Sequence, residues 1–223
     1  MSQISNIRRF VLPYFLSPVL VLFAVVSFGA TPVAVAQEID TASDTEQEIR
    51  SMLERRDQKI KALLGSSSTI SAEQKEELRN VINGVVDFRA MGKGALGRHW
   101  GKLTADQQDT FVNTFGQIVR LQSLADMEVY RSAVSYDEII VDGKQAHVMT
   151  TTTYKEVPTP VEYKLRQTDS GWMATDIILD DVSTVKGYAR SFQSVIRKKG
   201  FDDLMERLER RLQVEKEAQA DTG

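Results

Sequence analysis

The sequence contains no cysteine, so no disulfide staples the chain and its stability must come from an apolar core. Histidine is nearly absent. His99 and His147 stand far apart and lack a His-x-x-x-His spacing, which with no thiolate present removes the usual zinc and copper ligand sets. Basic charge is in the minority, with 28 Lys and Arg against 31 Asp and Glu. An acidic balance of this kind argues against a nucleic-acid partner. There is no internal repeat and no low-complexity segment. At 223 residues, 42% hydrophobic and 26% charged, the chain suits one globular domain and a leader.

The leader comes first. Arg8 and Arg9 precede an apolar run from Phe10 to Phe28, and Ala34-Val35-Ala36 forms a small-x-small site before Gln37. This is the layout of an export signal over residues 1–36, cleaved near Ala36. The run is close to bilayer-spanning length, so an uncleaved anchor is the alternative. Pro13 and Pro18 interrupt it, which favours cleavage. The arginine pair leaves both the general secretory and the twin-arginine route open. Cleavage would leave 26 basic against 31 acidic residues, a formal charge of −5. Residues 37–44 are expected to be a flexible polar start, 45–215 the folded domain and 216–223 a polar tail.

Within the domain the apolar period is first 3.6. Ile49, Met52, Leu53, Ile60, Leu63 and Leu64 mark a helix stopped by Gly65. A turn over Ser66–Thr69 leads to Ser71 and Gln74, a capping box that opens a second helix. Residues 87–101 are expected to form a short helix in close contact with its neighbours and then a turn. Gly92, Gly94 and Gly97 match a dinucleotide-binding expression, but no strand precedes them, so the match is accidental. Thr104 and Gln107 cap a long helix expected to reach Tyr130.

After it the period becomes 2. Strands are predicted at Ala133–Val141, Gln145–Lys155, Pro160–Gln167 and Gly171–Leu179. Asp142-Gly143 and Asp169-Ser170-Gly171 are hairpin turns, and Val157–Pro160 is expected to join the middle strands. A four-stranded antiparallel meander follows. In the third strand Val161, Tyr163 and Leu165 alternate with Glu162, Lys164 and Arg166, assigning one face to the interior. The helical period then returns in two helices divided by Gly200. The fold class is α+β.

The run from Trp172 to Ser183, WMATDIILDDVS, followed by a helix and then by Lys198-Lys199-Gly200-Phe201-Asp202-Asp203-Leu204, resembles the carboxy-terminal signature of the MlaC (toluene-tolerance) family. Leu103 to Gln108, the aromatic-rich helix after it and the meander extend the resemblance over roughly residues 45–215. The family carries glycine where this chain has Asp181, a departure that bears on a turn. The resemblance implies helices wrapped around a curved four-stranded antiparallel sheet that encloses an apolar pocket, of nuclear-transport-factor or cystatin-like form. It also implies a periplasmic monomer that carries phospholipid and maintains outer-membrane lipid asymmetry, with neither enzymatic activity nor a cofactor. The implied partners are an outer-membrane lipoprotein/porin complex and an inner-membrane lipid ABC transporter with its substrate-binding component. Members linked to hopanoid metabolism make a hopanoid or other isoprenoid lipid the alternative cargo.

Such a pocket would be lined by the residues that periodicity turns inward. These are Phe88, Met91 and Leu96 before the long helix, Phe111, Phe115, Ile118 and Val119 on it, Val148, Val161, Tyr163, Leu165 and Ile177 on the sheet, and Val185, Tyr188, Phe192 and Ile196 on the next helix. A solid core would use the same stripes. Asp176, Asp180 and Asp181 offer a second reading, a general base in a pocket enzyme of ketosteroid-isomerase-like fold. Turn and cap chemistry accounts for the same carboxylates. His99-Trp100 suits a packing anchor. Arg197, Lys198 and Lys199 suit equally the dipole of a helix end and an anionic contact.

Overall fold

The computed structural model describes residues 34–66 and 70–220. Of the expected export signal, residues 1–33 lie outside them, as do residues 67–69 of the expected turn and the last three of the tail. Among the described residues no helix is long and apolar enough to cross a membrane.

Helix α1 runs Ala34–Leu64, so residues 37–44, read from composition as a flexible start, form its early turns. Gly65, at φ +52°, ends it, and its freed carbonyls at Leu64 and Gly65 accept from the Arg131 guanidinium. Ser71 and Gln74 make the reciprocal capping box that starts α2, Ala72–Asn83. Helix α3, Phe88–Leu96, is followed by a 3-10 segment, Gly97–Lys102. The glycines there serve packing. A Cβ on Gly92 would lie 2.9 Å from Phe111, and one on Gly94 would lie 2.8 Å from Val185, so both let α3 approach its neighbours closely.

Thr104 and Gln107 form the second capping box, opening α4, Ala105–Gln122. The helix expected to reach Tyr130 therefore stops eight residues early. Leu124 turns into a small cluster with Leu64 and Leu78, and Asp126 caps a separate 3-10 segment, Met127–Arg131. Burying Leu124 there requires the chain to leave the α4 axis.

The sheet is a meander of five strands rather than four: β1 Ala133–Asp142, β2 Gln145–Tyr154, β3 Val157–Thr168, β4 Gly171–Leu179 and β5 Val182–Ser183. The added strand folds back on β4 through Asp180 and Asp181, both at positive φ (46° and 62°), as a two-residue hairpin demands. Two residues are too few for alternation to reveal. Val157–Pro160 is likewise part of β3 and not a connection. The turn is Lys155-Glu156, at φ 49° and 65°. Counting from the closing pair Tyr154 and Val157, Pro158 and Pro160 fall at positions whose nitrogens face away from β2. Pairing with β4 begins only at Val161, so neither proline removes a ladder bond.

Two bulges redirect side chains. In β1 Asp137 is the extra residue, and it accepts from the Ser135 and Thr151 hydroxyls at 2.8 Å each. In β4 the extra residue is Thr175. It turns Ile177 to the face shared by Ala174 and Tyr163 and leaves Asp176 facing the start of the next helix. The far edge of β4 is covered by the α2–α3 connection, where Asp87 N–H donates to Ala174 O at 2.9 Å and Ala174 N–H to Val85 O at 2.6 Å. Helices α5, Thr184–Lys199, and α6, Phe201–Ala220, close the chain.

Candidate functional site

The apolar interior is divided. A helical cluster gathers Phe88, Met91 and Leu96 of α3, Phe111, Phe115 and Ile118 of α4, Phe192 of α5, and Leu204, Met205 and Leu208 of α6. Val119, Ile177, Val185, Tyr188 and Ile196 pack against it, half-buried. A sheet cluster is formed where Ile49 and Leu53 of α1 press on Ile139, Ala146, Val148, Leu165, Trp172 and Ala174, with Tyr163 alongside. Val161 is buried but belongs to neither cluster. The expected lining residues are thus brought together mainly on the helical side, while Val148, Tyr163 and Leu165 lie on the sheet side. Among the described residues Met52 of α1 packs against both halves.

The helical half is held by aromatic rings. Phe111 and Phe115 stack with centroids 5.6 Å apart and planes at 5°. Phe192 meets both edge-on at 5.9 Å, and Tyr188 meets Phe115 edge-on at 5.0 Å. Each such pair adds about 0.5–1.5 kcal/mol beyond area burial. The Tyr188 hydroxyl donates to Gln122 Oε1 at 2.9 Å, and Gln122 in turn donates to Glu215 Oε1 at 3.0 Å. A polar chain therefore ties α5, α4 and α6 over the rings. Burial pushes the Tyr188 phenol upward.

The sheet half has its own phenols. Burial raises the pKa of Tyr136 and Tyr163, holding both phenols neutral, and Asp57 on α1 adds to both shifts. Tyr130, packed instead against the small Leu64, Leu78 and Leu124 cluster, is pushed up to about 12 by burial, with Tyr163 contributing. The indole N–H of Trp172, itself buried, has no acceptor among the described residues.

No catalytic set assembles from the residues singled out in the sequence. Asp176 is buried, but Oδ2 accepts from the Ser183 hydroxyl at 2.6 Å and Oδ1 from Val185 N–H at 3.0 Å. Ser183 Oγ accepts from Lys186 N–H at 3.0 Å. These groups cap α5. Asp180 and Asp181 form the β4–β5 turn. Trp100 packs against the helical cluster with the Arg89 guanidinium 5.7 Å from its ring centre, and its carbonyl accepts from Gln108. His99 is held below the usual imidazole range by burial, then by Arg98, Lys102 and Arg197. Among the described residues no three His, Cys, Asp or Glu side chains gather as metal ligands.

Among the clefts formed by the described residues, two hold about 520 Å³ each. One lies on the sheet face turned away from α1, among Asp137, Glu138, Met149, Thr151, Pro160 and Glu162. The other runs between α1 and α2, over Met52 and Val81, edged by Arg55, Arg56, Lys59, Glu77 and Asn80.

The family model described as MlaC protein matches residues 54–210. The chain belongs to the MlaC family. Among solved structures, the MlaC-family fold described above is similar to a phospholipid-binding protein from Ralstonia solanacearum, solved in complex with a phospholipid. The two share 18% identity with a TM-score of 0.63, over 76% of this chain and 97% of that one. No curated protein matches. Asp181, where the resemblance implied a glycine, stands at φ +62°, a conformation aspartate tolerates better than most residues.

The sequence reading missed the contribution of α1 to this interior. Ile49, Met52 and Leu53 were legible as a helical stripe, but nothing in their spacing says that they face the sheet.

Proposed function

We propose that this MlaC-family protein is a periplasmic phospholipid carrier that performs no chemistry. The acyl chains lie between the helical cluster and the sheet, against the sixteen residues expected to line a pocket. The loaded protein moves between an outer-membrane lipoprotein/porin complex and an inner-membrane lipid ABC transporter with its substrate-binding component, and so maintains outer-membrane lipid asymmetry.

The observation that carries this reading is the division of the core at Met52. Two apolar faces that meet at a flexible, unbranched side chain can part there to admit a hydrocarbon, while the backbone bonds of Ala174 to Val85 and Asp87 stay closed at the edge of β4. The driving force is large: about 0.8 kcal/mol per methylene, or roughly 25 kcal/mol for two chains of ordinary length. The unmatched Trp172 indole supports the reading as well, because a buried donor without an acceptor costs about 1–3 kcal/mol, and an ester carbonyl of the cargo would supply one.

The test is native mass spectrometry of protein purified from its own envelope fraction, before and after solvent extraction. A phospholipid mass that disappears on extraction is expected. A hopanoid or other isoprenoid mass would replace the cargo, and a bare protein mass with no uptake from vesicles would refute the carrier.

A further inference from the structure

Helix α1 has two distinct faces. Ile49, Leu53 and Leu64 are buried in the core, whereas Met52, Arg55, Arg56 and Lys59 line the cleft shared with α2. That spacing of i, i+3, i+4 and i+7 puts three cations in one row above a methionine. We propose that this cleft seats the phosphate of the carried phospholipid, gripped by Arg55, Arg56 and Lys59, with the tails entering the interior past Met52. The inference rests on the carrier reading and assigns it a headgroup site.

Charge complementarity comes first. The cleft sets three cations against one carboxylate, Glu77, in a chain whose formal charge is −3. Glu77 pairs with Lys59 at 2.9 Å, which leaves the two arginines without a carboxylate among the described residues. Arg56 is the more telling of the two. It is half-buried and donates from Nη1 to Val81 O at 2.8 Å. Most of the guanidinium fork is left unspent, and burial lowers its ionisation from the ordinary value. A guanidinium partly withdrawn from water next to a carbonyl gains from a phosphate, which can accept two parallel hydrogen bonds.

A phospholipid must hold its phosphate in water within a few bonds of tails that are out of it. The cleft satisfies both conditions at once, because its floor residue Met52 is also the side chain packed against both core clusters. The second cleft, among Asp137, Glu138 and Glu162, repels an anion. The cations Arg197, Lys198 and Lys199 occupy the last turn of α5, where the helix dipole alone accounts for them.

The test compares two lipids with identical chains, phosphatidylglycerol and diacylglycerol, offered from vesicles to the full-length mature protein and to Arg55→Gln/Arg56→Gln. Uptake of phosphatidylglycerol should fall about ten- to a hundredfold in the double variant, with diacylglycerol uptake unchanged. Glu77→Gln, which removes the competing carboxylate and leaves the arginines in place, should strengthen phosphatidylglycerol uptake, and it keeps the test valid if the double variant folds poorly. Equal effects on both lipids, or none on either, would overturn the headgroup site while leaving the carrier intact. Failure of the unaltered protein to take up either lipid would remove the carrier reading and the site with it. Inorganic phosphate should compete with phosphatidylglycerol uptake. If it binds the arginines without competing, the cleft belongs to free phosphate and the proposal falls.

Discussion

Replacing Phe115 by alanine separates a pocket wall from a solid core. The ring is 1% exposed, stacks on Phe111 and receives the edges of Tyr188 and Phe192. Truncating a buried phenylalanine costs about 3–5 kcal/mol, and three broken ring contacts place Phe115→Ala at the upper end of that range. In a domain of this length the loss corresponds to a drop of roughly 10 °C or more in the unfolding midpoint. If cargo chains lie against Phe115, three or four methylenes can occupy the vacated volume and return about 0.8 kcal/mol each. The assay is urea unfolding of delipidated and lipid-loaded protein, for both the unaltered chain and the variant. The penalty should shrink by roughly half or more on loading. Equal penalties in the two states would refute contact between Phe115 and the cargo and return this ring to ordinary core.

Three further outcomes are expected. The Tyr130 phenol ionises at about 12 in the folded chain against about 10 when unfolded. Its contribution is therefore complete below pH 10 and disappears as pH rises through 12, and Tyr130→Phe should flatten the alkaline decline in denaturant midpoint between those values. Asp176→Asn weakens the cap on α5 and should lower stability by about 1–2 kcal/mol with lipid uptake retained; a folded variant that has lost all function would revive the pocket enzyme. Asp181→Gly relieves a residue at φ +62° and should raise the urea midpoint by the equivalent of about 0.5–1 kcal/mol, whereas an unchanged or lowered midpoint would show that the aspartate is at ease in that turn.

Much of this fold was legible because its signals are local. Alternation in Val161, Tyr163 and Leu165 exposed the inner face of β3, and the Ser71 and Thr104 capping boxes located two helix starts to the residue. Where the reading failed, a distant contact decides the local geometry. The end of α4 depends on Leu124 reaching Leu64 and Leu78, far away in sequence. Pro158 and Pro160 argue against a strand until it is known which edge of β3 they face. The lining residues were legible as apolar stripes, but their division between two clusters depends on where α1 lies, and no period encodes that. The cation row over Met52 was present in the helical spacing and would have been found by reading the polar face of α1 as closely as its apolar one.

The chain has two tryptophans, and the divided core gives each half one of them: Trp100 lies against the helical cluster and Trp172 within the sheet cluster. The protein thus contains its own pair of optical reporters. Trp100→Phe leaves an emission that follows the sheet side alone, Trp172→Phe one that follows the helices, and time-resolved fluorescence of the two variants would show whether the halves respond to cargo together or in turn.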